Sequence, residues 1–246
     1  MTDPSLKEKT VTGATWVAVE KWGQQAVQFV ITVLIARILS PADYGIIGIL
    51  LVFLMLSNVL IDSGFGAALV RKQEATDADY ATVFYLNLIV SVACYGLLYL
   101  AAPFIADFFN EPQLTAVARV LGLTVILNSF ALIQMTILQK RMDFRPQAVV
   151  ALVSALGSGA VGVAMAYGGF GLWALVGQSL ASASLQAMLY WLFGSWRPAL
   201  VFSRASLVSL FAFSSNLLVS SLINVLFKSV VPVIIGKYYS TRDLGF

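Results

Sequence analysis

Histidine is missing from this 246-residue chain, and cysteine occurs once, at Cys94 inside an apolar run. Without imidazole there is no ordinary zinc or haem site, and one cysteine cannot form an intrachain disulfide. The chain also lacks a glycine-rich phosphate loop ending in Lys-Ser/Thr, a serine nucleophile elbow and a paired acidic motif outside its apolar runs. We therefore predict that the protein is not an enzyme and holds no cofactor and no metal.

Charged residues are also scarce. Only 11% of the residues are charged and 59% are hydrophobic, whereas soluble domains are about 25% charged and about 45–50% apolar. This composition is typical of a polytopic membrane protein, which leaves little material for a soluble domain. The net charge of +3 does not indicate nucleic-acid binding, because the basic residues collect in short loops between apolar runs.

Seven apolar segments are long enough to cross a bilayer as helices. The third segment is expected to close at Pro103, and the glycines of the second predict a local break or a close helix approach. Trp191 and Trp196 flank the end of the sixth segment, as expected of interfacial aromatics. The fold class predicted is therefore all-α, a polytopic helical membrane protein. We assign residues 1–194 to a six-helix lobe and residues 195–246 to a cytoplasmic linker and the first helix of an incomplete second lobe. The seven segments comprise residues 11–36, 45–70, 81–102, 114–138, 148–167, 172–193 and 207–235.

A short pattern occurs twice, 200 positions apart. Residues 37–45 read RILSPADYG and residues 237–245 read KYYSTRDLG, so both copies share a cation, Ser, Asp and Gly at the same spacing. Each copy follows a long apolar run, and its Ser and Asp supply helix-cap chemistry. The second copy predicts that a six-helix unit begins again, and that the chain is the N-terminal portion of a longer protein.

Lysine and arginine are distributed unequally between alternate loops. The side that carries more of them is predicted to be cytoplasmic, which places the N-terminus inside. The two sides carry, respectively, Lys7, Lys9, Arg71, Lys72, Lys140, Arg141, Arg145, Arg197 and Arg204, and Arg37, Arg119, Lys237 and Arg242.

The first segment contains an unusual polar stripe. Glu20, Gln24 and Gln28 repeat at four-residue spacing, and Lys21 and Gln25 lie on the adjoining row. An ionised side chain near the bilayer centre costs on the order of 3 kcal/mol, so this stripe cannot face lipid. We predict that it lines a cavity or faces other helices.

Two further positions could carry chemistry inside the membrane. By helical rise, Glu20 and Asp62 both lie roughly 25 Å below the outer surface, so Lys21 can pair with either carboxylate as structural support, or the cluster handles a cation or substrate. Lys228 lies about 12 Å from the outer side, one turn after Asn224 on the seventh segment. Two lysines at different depths could pass an anionic head group across the membrane, and the competing reading is that Lys228 pairs locally or extends to the interface.

Several stretches together resemble the polysaccharide-exporter family of oligosaccharide flippases, within the superfamily that also includes multidrug exporters. They are LIDSGFGAALVR at residues 60–71, LQKRMDFR at 138–145, GFGLWALVGQ at 169–178, WRP at 196–198 and DLGF at 243–246. The resemblance implies a multi-pass protein of the bacterial inner membrane with two six-helix lobes, of which the C-terminal lobe is missing here. It implies transport of undecaprenyl-diphosphate-linked sugar units from the cytoplasmic to the periplasmic leaflet, for lipopolysaccharide or exopolysaccharide synthesis. A proton or sodium ion could drive this transport.

Two alternatives remain open. A cation-coupled drug exporter would need an aromatic, apolar cavity in place of a glutamine-lined one. A membrane scaffold for polysaccharide enzymes would use the buried charges only to hold helices together. The residues we predict to bind substrate or line a cavity are Glu20, Lys21, Gln24, Gln25, Gln28, Asp62, Asn224 and Lys228.

Overall fold

The computed structural model describes the backbone of residues 6–238 and the side chains of residues 15–237. This part of the chain is helical, which confirms the all-α prediction. The helices are α1 (Leu6–Ala36), α2 (Pro41–Asp62), α3 (Phe65–Arg71), α4 (Asp77–Phe109), α5 (Gln113–Leu121), α6 (Leu123–Lys140), α7 (Phe144–Tyr167), α8 (Leu172–Phe193) and α9 (Arg204–Tyr238).

Within the described residues, six helical stretches are long and apolar enough to cross a bilayer, where we expected seven. They are Pro41–Arg71, Asp77–Phe109, Gln113–Lys140, Phe144–Tyr167, Leu172–Phe193 and Arg204–Lys237. The stretch that falls short is α1, because its charges and amides lower its hydropathy. At 1.5 Å per residue its 31 residues still extend about 46 Å.

The first helix nevertheless lies alongside a helix that is long and apolar enough to span a bilayer. It packs along α7, and the two helices run parallel, because Gly23 lies beside Leu152 and Ile31 lies beside Gly159. A β-carbon on Gly159 would overlap the Ile31 side chain. The small residues of α7 therefore serve close helix packing.

The second segment is broken, as its glycines indicate. Ser63 and Gly64 adopt left-handed conformations with φ of 45° and 73°, and this turn separates α2 from α3. A β-carbon on Gly64 would lie 2.9 Å from Cβ of Leu217 and 3.1 Å from the carbonyl oxygen of Ser214. The glycine thus permits both the break and the close approach of α9.

The third helix of the sequence prediction does not end at Pro103, which is a correction. In α4 the helix continues through this proline to Phe109 and ends at Asn110, which is left-handed with φ of 55°. Proline removes one backbone hydrogen bond, but ending a helix within hydrocarbon would leave several groups unpaired. The turn after Pro103 also buries Ala106 and Phe109 in the core.

The predicted cap after the first segment is confirmed. The backbone N–H of Asp43 donates to Oγ of Ser40 at 3.3 Å, and the N–H of Ser40 donates to Oδ2 of Asp43 at 3.0 Å. This reciprocal capping box starts α2 immediately after the turn. Most of the second copy, residues 239–245, lies outside the described residues.

Basic residues collect at one end of the bundle, which we call the basic end. There Nζ of Lys140 donates to the carbonyl of Leu69 at 3.1 Å, and Nη1 of Arg141 donates to Oγ of Ser195 at 3.4 Å. Alternate loops therefore meet at one end, as helices that cross repeatedly require. Which end faces the cytoplasm stays a prediction from the positive-inside rule.

The last described helix packs against α2, α3 and α4. The linker before it is held to the lobe by Trp196, whose ring packs against Phe84 and Tyr80. Trp196 is only 9% exposed, so it is a core residue and not the interfacial aromatic that its position after the sixth segment suggests. Whether α9 opens a second lobe stays a prediction.

Candidate functional site

A polar cleft of about 440 Å³ lies within the bundle, between α1, α2, the α5–α6 pair, α7 and α8. Most of its lining side chains in the described part of the chain carry an amide or a hydroxyl group, and none of these is charged. The lining residues are Gln28, Tyr44, Ile47, Leu51, Leu54, Met55, Asn58, Leu121, Thr124, Asn128, Ser158, Leu175, Gln178, Ser179, Ser182, Ala183 and Gln186.

The polar groups of the cleft are only partly used by each other. Nδ2 of Asn128 donates to Oδ1 of Asn58 at 3.4 Å, and Nε2 of Gln186 donates to Oγ of Ser182 at 3.0 Å. The buried hydroxyl of Tyr44 has no partner among the described residues. Each carboxamide offers two donors and an acceptor, so capacity remains for a ligand that both donates and accepts. Sugar hydroxyl groups have this property.

Helical spacing explains how the sequence builds the cleft. Gln178, Ser182 and Gln186 recur every four residues and therefore share one face of α8, while Thr124 and Asn128 share one face at the start of α6. This four-residue recurrence was readable in the sequence. It is a weaker signal than the charged positions of the apolar segments, and Asn58, Asn128, Gln178 and Gln186 were not predicted from the sequence.

Of the residues predicted from the sequence, Gln28 lines the cleft. Lys21, Gln24 and Gln25 are exposed on α1. Lys21 and Gln24 precede Gln28 by seven and four residues, which places all three on one face of the helix. This face therefore continues from the cleft wall toward the basic end. A role for Lys21, Gln24 and Gln25 in substrate binding stays a prediction.

The two carboxylates named from the sequence do not line the cleft. Glu20 is partly buried on α1, and Oδ1 of Asp62 accepts the backbone N–H of Gly66 at 3.3 Å, across the break between α2 and α3. Among the described side chains, no ion pair within 4 Å joins Lys21 to either carboxylate. An ion pair does occur elsewhere in the described residues, between Lys72 and Asp79 at 2.7 Å. The role of Glu20 and Asp62 stays a prediction.

The two residues predicted on the seventh segment lie away from the cleft. Asn224 and Lys228 are exposed on α9, which contacts α2, α3 and α4 and is not among the helices that line the cleft. Their part in substrate handling also stays a prediction. Across the described residues, no group of three or more Cys, Asp or Glu side chains is arranged to hold a metal ion.

Several known bacterial proteins are similar to this chain over almost its whole length. The identity is 26% to the teichuronic acid biosynthesis protein TuaB of Bacillus subtilis, 28% to the succinoglycan biosynthesis transport protein ExoT of Rhizobium meliloti, and 24% to the lipopolysaccharide biosynthesis protein WzxC of Escherichia coli. Each alignment covers 98% of this chain but only 50%, 49% and 49% of the respective relative. The chain thus spans about half the length of the curated relatives it matches.

No solved structure matches the chain. A family profile described as polysaccharide biosynthesis protein matches residues 34–246, which takes in α2 to α9 and nearly the whole lining of the cleft. An uncharged polar cleft enclosed by apolar helices agrees with this assignment, and the protein belongs to the polysaccharide biosynthesis protein family.

Proposed function

We propose that this chain is the N-terminal part of a transporter that moves an undecaprenyl-diphosphate-linked oligosaccharide from the cytoplasmic to the periplasmic leaflet. The observation that carries the proposal is the cleft, in which amide and hydroxyl groups line a space inside an apolar helical bundle. Polar groups are costly to place in hydrocarbon unless they find partners. The hydroxyl groups of Thr124, Ser158 and Ser179 donate to backbone carbonyls three or four residues earlier in the chain, but the carboxamides of the cleft keep hydrogen-bonding capacity and suit a polar, uncharged ligand such as a glycan.

The names of the relatives support the same direction. ExoT is named as a transport protein of succinoglycan biosynthesis, and TuaB and WzxC are named for teichuronic acid and lipopolysaccharide biosynthesis. The family profile that matches the chain is likewise described by polysaccharide biosynthesis, and sugar units carry hydroxyl groups. A transporter for the lipid-linked precursors of such polymers would account for both the names of the relatives and the polar cleft.

In this mechanism the parts of the substrate are held by different groups. Gln28, Asn58 and Asn128 exchange hydrogen bonds with sugar hydroxyls in the cleft, which replaces the water that the glycan loses. Lys21 and Lys228 attract the diphosphate at different depths. A C-terminal lobe completes the chamber, and the N-terminus faces the cytoplasm.

A coupling cation provides the driving force. Glu20 and Asp62 are the membrane-embedded carboxylates able to bind a proton or a sodium ion. One elementary charge that crosses the membrane is worth about 2.3 kcal/mol per 100 mV, so one cation per cycle is a useful drive.

The lining of the cleft favours this function over drug export. A cavity for apolar drugs is mostly lined by hydrophobic and aromatic side chains. Here Tyr44 is the aromatic side chain of the lining, and its hydroxyl group is itself a polar contact. A membrane scaffold would also have no evident use for the amide groups that line the cleft.

The test uses the full-length protein in a bacterial strain that lacks its own transporter for the polymer. We expect Lys21→Ala or Lys228→Ala to reduce surface polysaccharide while the protein level in the membrane stays unchanged. Lys237→Ala is the matched control, because Nζ of Lys237 donates to the backbone carbonyl of Phe108 at the opposite end from the basic end. Normal polymer output from both lysine variants would contradict the proposed diphosphate path, and a failure of the unmodified protein to restore polymer would contradict the function itself.

A further inference from the structure

A second concave surface lies on the back of α6 and α8, away from the cleft. We call it the aromatic groove. It encloses about 410 Å³ and is lined by apolar side chains from α4, α6, α8 and the linker that follows α8. These are Phe84, Leu127, Phe130, Ala187, Met188, Trp191 and Pro198.

The walls of the aromatic groove are held in place by specific contacts. The indole N–H of Trp191 donates to the carbonyl oxygen of Phe130 at 2.9 Å, which fixes the orientation of the ring. The ring of Phe84 meets that of Trp191 edge to face, with centroids 5.9 Å apart. Ala187 is only 9% exposed and forms a floor without a long side chain. The groove is therefore a preformed slot for an apolar chain.

A guanidinium group stands beside this slot. The guanidinium carbon of Arg197 lies 5.5 Å from the centroid of the Trp191 ring. Nη1 of Arg197 donates to the carbonyl of Gly194 at 2.8 Å, and Nη2 donates to that of Trp191 at 3.3 Å. These bonds position the charge next to Pro198, which lines the groove. Arg197 is exposed, so an anionic group can still reach it.

The aromatic groove and the cleft use different faces of the same two helices. On α8, Ser182 and Gln186 line the cleft whereas Met188 and Trp191 line the groove. On α6, Asn128 lines the cleft whereas Leu127 and Phe130 line the groove. A ligand with its polar part in the cleft would have to pass its chain through the helix pair to fill the groove. The occupant of the groove is thus a separate molecule from any ligand of the cleft.

We propose that the aromatic groove binds an acyl chain of an anionic phospholipid, whose phosphate is held by Arg197. The apolar lining matches the chain, and the arginine at the basic end matches the negative head group. Such a lipid would hold the linker against α4 and α8 from the bilayer side. The site does not depend on what the cleft transports.

The test measures which lipid contacts Trp191. The protein is placed in nanodiscs that contain equal amounts of phosphatidylglycerol and phosphatidylcholine, and in each preparation one of the two lipids carries brominated acyl chains, which quench nearby tryptophan fluorescence. Trp16, Trp22 and Trp173 are replaced by Phe, so that the remaining emission comes from Trp191 and the buried Trp196. We expect phosphatidylglycerol to bind at this site about five-fold more tightly than phosphatidylcholine, the effect of one basic residue at a membrane surface.

Two substitutions separate the head-group contact from the chain contact. Arg197→Gln keeps a hydrogen-bond donor but removes the charge, so it should abolish the preference for phosphatidylglycerol, whereas Arg145→Gln at the same end should retain it. Ala187→Leu fills the floor of the groove and should lower quenching by both lipids. Equal quenching of the parent protein by the two lipids, a preference that survives Arg197→Gln, or unchanged quenching in Ala187→Leu would each overturn the proposal.

Discussion

Asn58 of α2 and Asn128 of α6 lie side by side in the wall of the cleft, with Nδ2 of Asn128 3.4 Å from Oδ1 of Asn58. The two residues are 70 positions apart in the chain. At this distance the bond between them is weak, so both carboxamides can turn toward a ligand. A substrate bound at this pair would therefore contact α2 and α6 at the same time.

Replacing Asn128 by Leu should impair transport without unfolding the helices. Leucine is similar in size and suits a membrane helix, but it leaves sugar hydroxyls in the cleft without their partner. We expect polymer export by the full-length protein to fall about ten-fold, which corresponds to the loss of one hydrogen bond in a desolvated site. Asn216→Leu, an exposed asparagine of α9 outside the cleft, is the matched control. Equal export by the two variants would remove Asn128 from the site.

The contact between Gly159 and Ile31 should control the packing of α1 on α7. Gly159→Ala inserts a methyl group where the Ile31 side chain already lies, which should lower the free energy of unfolding by about 2 kcal/mol. The measurement is thermal unfolding in detergent. Adding Ile31→Val should recover part of this loss, because it removes Cδ1 of Ile31, the atom nearest to the added methyl group, at a small cost in packing.

A second glycine serves as the reference for that experiment. Around Gly96 of α4, a β-carbon would meet no atom within 4 Å, so Gly96→Ala should be neutral or slightly stabilising. If Gly159→Ala behaves like Gly96→Ala, the close approach of the two helices is wrong.

Asp79 should be a stability determinant of the basic end. Its side chain is 1% exposed, and Oδ2 accepts from Nζ of Lys72 at 2.7 Å and from the N–H of Thr76 at 2.9 Å. Asp79→Ala removes the capping box of α4 and leaves Lys72, which is 35% exposed, without its partner. Since water can partly solvate that lysine, we expect a loss of about 2 kcal/mol in chemical denaturation. Asp77→Ala, an exposed acidic residue in the same turn, should cost about 0.5 kcal/mol at most.

Exchanging the charges of Lys21 and Asp62 should not preserve transport. If the two residues formed a structural ion pair, Lys21→Asp combined with Asp62→Lys would keep it. The structure shows no such pair, because α1 packs along α7. The contact of α1 with α2 lies near the turn between these two helices, where Ile35 shares an apolar cluster with Tyr44 and Ile47. Polymer output should therefore be as low in the double variant as in either single variant. Restored output would support the scaffold alternative.

The polar stripe of the first helix shows how far sequence reasoning reached. Periodicity alone placed Glu20, Gln24 and Gln28 on one row, with Lys21 and Gln25 on the row beside it, and excluded lipid as their surroundings; in the structure Gln28 does line the cleft. The proposed pairing of Lys21 with Asp62 rested on the equal depth of Glu20 and Asp62 below the outer surface. Equal depth does not determine whether two helices are neighbours. In the structure α1 packs mainly along α7 and not along α2, and a count of residues cannot reveal which helices become neighbours.

Pro103 and Trp196 show a different limit. Each was assigned the role that is typical of its residue type: Pro103 was expected to end a helix, and Trp196 was expected to lie at the membrane interface. Their neighbours in space decided otherwise, because Phe109 is buried beyond the proline and Phe84 and Tyr80 surround the tryptophan. Local preferences are worth about a kcal/mol or a few, and burial of large side chains outweighs them.

By itself the sequence determined that this is an all-helical membrane protein, where its long helices run, and which motifs resemble an exporter family. Those properties follow from the length of apolar runs and from short local patterns, which need no knowledge of neighbours. Only the tertiary structure decided that the cleft is uncharged and that Asn58, Asn128 and Gln186 meet in it. They come from three helices far apart in the chain, and the crossing of those helices is set by packing of side chains that no one-dimensional pattern specifies.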